Sequence, residues 1–293
     1  MWYNKRMERI DGKKIAESIK ENVAMQVENE YLSKNKQAPC LACIIVEGNS
    51  ASEVYVANKE KACARCLLRS KIVRLAETIS QEELETVISN LNEDEDISGI
   101  LLQLPLPKHL DSDSALAKIS PLKDVDCLTT QNLGLLFSGH PIIAPCTATG
   151  IIKILDYQNV EIAGKRAVVI GRSLLVGKSV ANLLEQRNAT VTICHSKTQN
   201  MQEVTKQADI LVVAVGKPEY IIADYVKLGA VVIDVGINRT ESGLKGDVDY
   251  ASVSEICSQI TPVPGGVGPL TVACLMENTL TLDKLRKTQE EEV

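Results

Sequence analysis

The chain has 293 residues, of which 45% are hydrophobic and 24% charged, and its formal net charge is -6. This length is enough for two domains of average size. The excess of negative charge argues against a nucleic-acid partner, which would require a basic surface. No apolar run reaches the length of a membrane span, and the N-terminal residues lack the apolar stretch of a secretory signal. We therefore expect a cytoplasmic protein with no membrane partner.

The first half of the chain alternates amphipathic segments of helical length with short apolar runs. The sequence predicts helix 12–31, strand 40–48, helix 51–70, strand 71–77, helix 80–91 and strand 97–104. In the first helix the apolar positions with helical spacing are Ile15, Ile19, Val23 and Val27. The apolar runs consist almost entirely of Val, Ile and Leu, which is typical of parallel strands covered on both faces.

A polar region punctuated by prolines, residues 120–150, separates the two halves and is typical of a domain boundary. The alternation then resumes. Strands are predicted at 166–171, 189–196, 208–216, 229–236 and 258–266, and a last apolar helix at 269–287.

This order predicts an α/β protein made of two α/β domains that flank a cleft. The first domain is assigned to residues 1–147 plus 270–293, so that the C-terminal helix returns to it. The second domain, 148–269, is predicted to be a Rossmann-type parallel sheet that binds NADP, for the reasons given below.

Nine cysteines include two C-x-x-C pairs, Cys40/Cys43 and Cys63/Cys66, whose spacing is compatible with zinc. The first pair lies in a β-branched run typical of a buried strand, and the second lies on a predicted helix. Free cysteine packs as a small hydrophobic residue in a reducing compartment. We therefore predict packed thiols and no metal site, with a structural metal as the less favoured alternative.

The strongest glycine signal is a strand that ends at Gly171 and a helix that begins near Gly177. Such a junction presents backbone N–H groups and a positive helix terminus to a pyrophosphate. The spacing is not G-x-G-x-x-G, so a tight turn without a ligand is an alternative.

The end of the next strand indicates which dinucleotide is bound. An NAD-binding unit has an acidic residue there, whereas this chain has His195, Ser196 and Lys197. A hydroxyl and cations, together with Arg172, suit a 2′-phosphate, so the predicted cofactor is NADP. The alternative is a set of solvated polar residues after a strand.

Several longer stretches are more specific than these general signals. They are "SEVYVANKEKAC", "GILLQLPLP", "SPLKDVDCLT", "APCTATG", "VVIGRSLLVGKSVANLL", "ATVTICHSKT", "VIDVGINR", "GDVDY" and "TPVPGGVGPLTVACLMENT". By these stretches the chain resembles the bifunctional methylenetetrahydrofolate dehydrogenase/methenyltetrahydrofolate cyclohydrolase family along nearly its whole length. The resemblance implies the enzyme that oxidises 5,10-methylenetetrahydrofolate with NADP and hydrolyses the 5,10-methenyl product to 10-formyltetrahydrofolate in one-carbon metabolism.

The resemblance also implies residue roles. Lys59 is the catalytic lysine, and Gln103 hydrogen-bonds and orients it, with Leu104 beside the substrate. Asp126 holds the pterin ring, and Tyr55 stacks on the aminobenzoate. Each residue alone has a simpler explanation: Lys59 as a surface cation, Tyr55 as a core aromatic residue and Asp126 as a turn residue.

Two further sets follow from the resemblance. The loop with Pro264, Gly265 and Gly266 lies against nicotinamide and folate, or else is only a tight turn before the last helix. The cofactor is expected to contact Gly171, Arg172, Ser173, Gly177, His195, Ser196, Lys197, Gly216 and Ile237. One departure concerns Cys127, where the family has glycine, because a residue with a Cβ resists a positive φ.

Two other functions remain open at this point. One is a different NADP-dependent oxidoreductase with two domains, for example one that acts on a small ketoacid, with Lys59 as its acid/base group. The other is a non-catalytic NADP-binding module. The resemblance also implies a homodimer.

Overall fold

The computed structural model describes residues 7–48, 50–241 and 243–291, so the ends of the predicted first domain, 1–6 and 292–293, lie outside it. The chain divides into two units. We name each unit after its main sheet. The three-stranded unit contains Glu17–Cys146 and the chain from Val272 onward, and the six-stranded unit contains the chain through Ala16 and Thr147–Thr271.

The strands are β1 (Glu8–Arg9), β2 (Cys40–Val46), β3 (Arg69–Leu75), β4 (Gly99–Leu102), β5 (Arg166–Ile170), β6 (Thr190–Cys194), β7 (Ile210–Val213), β8 (Val231–Asp234), β9 (Asn238–Thr240), β10 (Gly243–Lys245) and β11 (Gln259–Ile260). The α-helices are α1 (Gly12–Glu30), α2 (Ser50–Arg65), α3 (Gln81–Glu93), α4 (Ser112–Ala117), α5 (Thr130–Phe137), α6 (Cys146–Tyr157), α7 (Ser179–Gln186), α8 (Met201–Thr205), α9 (Tyr250–Ser254) and α10 (Val267–Glu291). Single turns of 3₁₀-helix occur at Leu32–Lys34 and Ala223–Tyr225, and a π-helical turn occurs at Leu174–Lys178.

In the three-stranded unit, the parallel sheet has the order β3-β2-β4. All seven residues of the central strand β2 are buried, as expected for an apolar strand covered on both faces. Ile44 of β2, Ile100 of β4 and Leu84 of α3 belong to one core cluster. Helix α3 begins with a capping box between Ser80 and Glu83.

The structure differs from the prediction at two places in this unit. The helix predicted over 51–70 ends at Arg65, because Leu67 takes a left-handed conformation with φ of 58° and β3 begins at Arg69. The predicted boundary region also contains helices. Among them is α5, whose first turn is capped by the Thr129 side chain.

In the six-stranded unit, the sheet has the order β1-β11-β8-β7-β5-β6, and every pair of neighbours is parallel. Strands β7 and β8, in the middle, are buried at every position. This topology confirms the predicted α/β class with a Rossmann-type parallel sheet. The short strand β1 was not predicted, and it joins this sheet rather than the first predicted domain.

All nine cysteines lie in the described part of the chain, and each is free and buried. Cys40 and Cys43 lie in β2, Cys63 lies in α2, and Cys66 lies just beyond the end of that helix. Burial raises the pKa of the Cys63 and Cys66 thiols to about 12. In the described ranges, no group of three or more His, Cys, Asp or Glu residues is arranged to hold a metal ion.

Helices α1 and α10 are the longest in the structure. Within the residues that the structure describes, no helix combines the length and the apolar character needed to cross a bilayer.

Candidate active site and cofactor site

Two of the predicted catalytic residues, Lys59 and Gln103, meet at the carboxyl end of the three-stranded sheet. Gln103 follows β4, and its backbone N–H donates to Ile44 O of β2 at 2.9 Å, which continues the ladder by one residue. Lys59 lies on α2, and its Nζ donates to Gln103 Oε1 at 2.8 Å. The amide nitrogen Nε2 of Gln103 donates to Leu104 O at 2.7 Å. Because both ends of the amide are used, its oxygen is fixed toward the lysine.

Tyr55 precedes Lys59 by one helical turn on α2, so the two residues share a face of that helix. The tyrosine is 46% exposed, and Lys59, Gln103 and Leu104 are partly buried. The exposed ring of Tyr55 excludes the alternative that it is a core aromatic residue. Its free face is available to stack on a ligand.

The segment that carries Asp126 is anchored first by a buried lysine. Lys123 is 3% exposed, and its Nζ donates to Leu91 O at 3.0 Å and to Asp94 O at 2.7 Å. These carbonyls lie at the C-terminal end of α3, where helix carbonyls lack intrahelical partners. The lysine therefore ties the start of the segment to α3.

A buried carboxylate, Asp124, anchors the other side of the segment. It accepts hydrogen bonds from the backbone N–H groups of Leu128 at 2.9 Å and Thr129 at 2.8 Å, and from Asn132 Nδ2 at 3.0 Å. These donors lie at the start of α5 and just before it. The carboxylate of Asp124 thus serves to hold the segment, whereas the nearby Asp126 is partly exposed.

The electrostatics at Asp126 connect it to Lys59. Burial raises the pKa of the Asp126 carboxyl, whereas the Lys59 ammonium and a hydrogen bond with the Cys146 thiol act to lower it. The charge of Lys59 is thus close enough to act on Asp126. The structure therefore joins Lys59 and Gln103 by a hydrogen bond and places Asp126 within range of the Lys59 charge.

Cys127 follows Asp126 and has φ of 57°, the left-handed conformation that glycine adopts easily. Its N–H donates to Asp124 O at 3.2 Å, and its buried Sγ lies 3.6 Å from Ile143 O. The backbone therefore keeps a glycine-like conformation in spite of the Cβ.

The glycine turn in the six-stranded unit has no room for a side chain at Gly171 or Gly177. Gly171 follows β5 with φ of 127°, and a Cβ there would collide with Ala214 O. A Cβ on Gly177 would collide with Gly171 O and lie 2.9 Å from the nitrogen of Arg172. Ser173 precedes the π-helical turn, and its Oγ accepts from Gly177 N at 3.4 Å. The turn is a cradle built from backbone.

The predicted 2′-phosphate residues lie at the same sheet edge. Strands β5 and β6 are neighbours, and Gly171 N donates to Cys194 O at 2.9 Å. Arg172 and Ser196 follow these two strands and are exposed, as is Lys197.

His195 shapes the turn after β6. Its N–H donates to Thr198 Oγ1 at 2.9 Å, and its Nδ1 accepts from Lys197 N at 3.2 Å. The side chain of His195 therefore supports the turn, and no acidic residue stands among residues 195–198.

The remaining predicted residues also lie in the six-stranded unit. Gly216 follows β7 with φ of 67°, and Ile237 is 52% exposed. In the loop after β11, Pro264 follows a cis peptide bond, Gly265 has φ of 102°, and a Cβ on Gly266 would lie 2.6 Å from Pro262 O. The loop leaves no room for a side chain at Gly266.

Sequence reasoning assigned no role to two buried carboxylates of this unit, Asp234 and Asp247. Both belong to stretches that were quoted for the family resemblance, "VIDVGINR" and "GDVDY". For Asp234 the available signal was an acidic residue at the end of an apolar strand, because acidic residues are rarely buried without partners.

The parallel sheet and the glycine turn at its carboxyl edge define a dinucleotide-binding domain of the Rossmann class. Two sequence profiles match the chain. They describe the catalytic domain of tetrahydrofolate dehydrogenase/cyclohydrolase, over residues 10–126, and its NAD(P)-binding domain, over residues 145–287. The bifunctional protein FolD of Acetivibrio thermocellus is 51% identical over 278 residues, which cover 94% of this chain and 97% of that protein. The chain belongs to the tetrahydrofolate dehydrogenase/cyclohydrolase family, which confirms the resemblance seen in its motifs.

Solved structures agree with this assignment. The bifunctional FolD methylenetetrahydrofolate dehydrogenase/cyclohydrolase of Campylobacter jejuni is 44% identical with a TM-score of 0.92, and the match covers 96% of this chain and 99% of that one. The Trypanosoma brucei methylenetetrahydrofolate dehydrogenase-cyclohydrolase, solved with NADP cofactor and an inhibitor, is 40% identical with a TM-score of 0.90 and coverage of 96% and 98%.

Proposed function

We propose that this protein oxidises 5,10-methylenetetrahydrofolate to 5,10-methenyltetrahydrofolate with NADP and then hydrolyses the product to 10-formyltetrahydrofolate. The observation that carries the proposal is the hydrogen bond of 2.8 Å from Lys59 to Gln103, in a chain that belongs to this family. A lysine held by a neutral amide beside Asp126 suits the second reaction, and a backbone cradle suits the cofactor of the first.

The oxidation needs mainly alignment. The substrate can open to an iminium ion through its own nitrogen lone pair, so no strong protein base is required. Bound NADP supplies the hydride acceptor. The contribution of the chain is to hold the folate, through stacking on Tyr55 and hydrogen bonding to Asp126, with the carbon that loses its hydride directed at the nicotinamide.

The hydrolysis requires proton transfer. Water adds to the methenyl carbon and loses a proton, and a ring nitrogen gains a proton as its bond to that carbon breaks. The Lys59 amine is the group that moves the proton, because general acid/base catalysis needs a group within hydrogen-bond reach. Gln103 orients the amine without a negative charge, whereas a carboxylate at that place would hold the lysine protonated.

The six-stranded unit fits NADP on the geometry of its own residues. A Cβ at Gly171 would collide with Ala214 O and a Cβ at Gly177 with Gly171 O, so this tight turn requires glycine at both positions, and its backbone N–H groups would receive a pyrophosphate. Arg172, Ser196 and Lys197 are the partners for the 2′-phosphate, which NAD lacks. Ser173, His195, Gly216 and Ile237 would complete the cofactor contacts, and the loop at Pro264 would contribute to the nicotinamide end of the cofactor.

The test is a single absorbance assay. Purified protein is mixed with 5,10-methylenetetrahydrofolate and NADP, and formation of NADPH and of methenyltetrahydrofolate is followed. We expect both products, followed by decay of the methenyl absorbance. Oxidation of a small hydroxy acid but not of the folate would favour a different oxidoreductase, and NADP binding without turnover would favour a non-catalytic module.

We also propose that the protein acts as a cytoplasmic homodimer. Nine free, buried thiols in the described chain are suited to a reducing compartment. Light scattering after size-exclusion chromatography measures the assembly directly. A mass of one chain at micromolar concentration would contradict the dimer.

A further inference from the structure

Asp247 binds one turn of the backbone with its whole carboxylate. Oδ2 accepts the N–H groups of Val215 at 2.6 Å and Gly216 at 2.9 Å, and Oδ1 accepts the N–H of Lys217 at 2.8 Å. Three consecutive backbone donors thus converge on one anion, as in the nests that bind phosphate in other proteins. Here the anion is a side chain of the protein itself, and Asp247 is 0% exposed.

The side chain of Asn238 completes this arrangement. Its Nδ2 donates to Asp247 Oδ1 at 2.9 Å, so each carboxylate oxygen accepts two hydrogen bonds. A carboxylate has about four acceptor positions, and all of them are used. An asparagine at 247 would offer one oxygen and one NH₂ group, which would then face backbone donors.

Asp247 is itself held in place by Asp234, at the end of β8. Asp234 Oδ1 accepts from Asp247 N at 2.9 Å and from Gly236 N at 3.0 Å, and Oδ2 accepts from Val248 N at 3.0 Å. A rigid connection therefore runs from β8 through residues 247–248 to the turn after β7.

That turn lies beside the glycine turn of the cofactor site. Strand β7 is the neighbour of β5, and the Ala214 carbonyl closes the space at Gly171. Gly216, two residues later, is free of neighbours at its Cβ position and has φ of 67°. A shift of Val215–Lys217 would consequently move one wall of the cradle.

We infer that Asp247 is a positioning residue for the cofactor: its carboxylate fixes the Val215–Lys217 turn, and through it the backbone that receives NADP. This inference rests on the proposed NADP-dependent function. All four acceptor positions of the Asp247 carboxylate are occupied by the chain, so none is left to contact substrate or cofactor. Its removal should weaken cofactor binding and leave the cofactor-independent hydrolysis in place.

The test compares Asp247→Asn with a matched control, Asp209→Asn. Asp209 is a carboxylate of the same unit that accepts Arg166 N at 3.0 Å and binds Lys227 Nζ at 2.6 Å, before β7 rather than after it. Titration calorimetry gives the Kd for NADP, and decay of methenyltetrahydrofolate without NADP gives the hydrolysis rate. For Asp247→Asn we expect a Kd increase of roughly tenfold or more, since bonds to a charged acceptor are lost, with hydrolysis within about twofold of wild type. For Asp209→Asn we expect both values within about twofold of wild type.

Asn238→Ala provides a second variant in case Asp247→Asn does not fold. It removes one of the four hydrogen bonds to Asp247, and we expect a Kd increase of roughly two- to fivefold with unchanged hydrolysis. The inference is overturned if folded Asp247→Asn binds NADP with the wild-type Kd, or if Asp209→Asn increases the Kd for NADP by the same factor. If Asp247→Asn does not fold, an unchanged Kd for NADP in Asn238→Ala overturns it. If the wild-type protein itself binds no NADP, the proposed function fails, and the inference fails with it.

Discussion

The two candidate sites are built from different parts of the polypeptide. In the three-stranded unit the chemistry resides in side chains, above all the Lys59 amine and the Gln103 amide, which meet at 2.8 Å. In the six-stranded unit the cradle consists of backbone, and Gly171 and Gly177 matter because they have no side chain. Activity at the first site should therefore change when a functional group is replaced by another of the same size. The second should respond to the addition of a single carbon.

The side-chain site should be disrupted by one added charge. Gln103→Glu keeps the size of the residue and places a carboxylate beside Lys59, which stabilises the protonated amine. We expect the rate of methenyltetrahydrofolate hydrolysis to fall roughly 100-fold or more, the usual scale for loss of a general acid/base. Gln103→Met removes the hydrogen bond without adding charge, and its hydrolysis rate should fall less. Equal rates in the two variants would show that charge plays no part.

The backbone site depends on buried carboxylates, and this gives it a dependence on pH. Burial raises the pKa of Asp234 to about 6 from 3.8, although three backbone N–H groups act against the rise. The Asp234 carboxyl therefore binds its proton more tightly in the folded protein than in the unfolded chain. Its contribution to the free energy of unfolding is present below about pH 4 and is lost as the pH rises through about 6. The difference in pKa corresponds to about 3 kcal/mol.

Urea unfolding of wild type and Asp234→Asn between pH 4 and 7 measures this contribution. The difference in the free energy of unfolding between wild type and variant should narrow as the pH rises. Asp209→Asn should instead differ from wild type by a nearly constant amount over this range. Hydrogen bonding to Lys227 holds the pKa of Asp209 below its usual value of 3.8, so the carboxyl is ionised in both the folded and the unfolded protein over most of the range. A constant difference for Asp234→Asn would rule out a titration of this residue near pH 6.

Arg172→Ala tests whether the cofactor site also depends on one cation. In the proposed site the Arg172 side chain is a partner for the 2′-phosphate alone, so affinity for NADP should fall while affinity for NAD changes little. A hydrogen bond to a charged group contributes about 1.5–3 kcal/mol, which corresponds to a roughly 10- to 150-fold weaker Kd for NADP. Titration of the variant with each cofactor measures the two Kd values. Equal losses of affinity for NADP and NAD would contradict the assignment of Arg172 to the 2′-phosphate.

Gly177→Ala adds one carbon to the backbone cradle. The new Cβ would collide with Gly171 O, and overpacking of this kind typically costs about 1–3 kcal/mol. We expect a Kd for NADP increased roughly tenfold. The control is Gly229→Ala, since Gly229 has φ of 81° and open space at its Cβ position. That variant should lose some stability and no NADP affinity, and equal Kd values for the two variants would contradict a backbone-built site.

The fold was predictable where apolar patterning is strong. Strands β2, β4, β5, β7 and β8 are buried at nearly every position and were all found from their Val, Ile and Leu content. Strand β1 was not found, because its two residues, Glu8 and Arg9, are exposed and polar. The end of α2 was placed too late, since a left-handed Leu67 leaves no trace in the hydrophobic pattern.

Prediction of the site depended on motifs rather than on patterning. The helical spacing of Tyr55 and Lys59 placed them on one face of α2, but only the resemblance identified Gln103 and Asp126. The roles of Lys123 and Asp124 as anchors of the Asp126 segment were not predicted, because their partners Leu91 and Leu128 are backbone groups fixed by the fold. Cys127 was singled out because the family has glycine there, but the sequence alone did not show that the cysteine keeps the left-handed backbone.

The central claim is that the Lys59 amine moves the proton in hydrolysis and is not needed to transfer hydride. Lys59→Met keeps much of the apolar stem of the side chain and deletes the amine. The decisive experiment measures two rates in this variant and in wild type. One is NADPH production from methylenetetrahydrofolate, and the other is decay of methenyltetrahydrofolate. We predict that hydrolysis falls roughly 100-fold or more while NADPH production falls much less. Hydrolysis by Lys59→Met at the wild-type rate, above the uncatalysed background, would contradict the account.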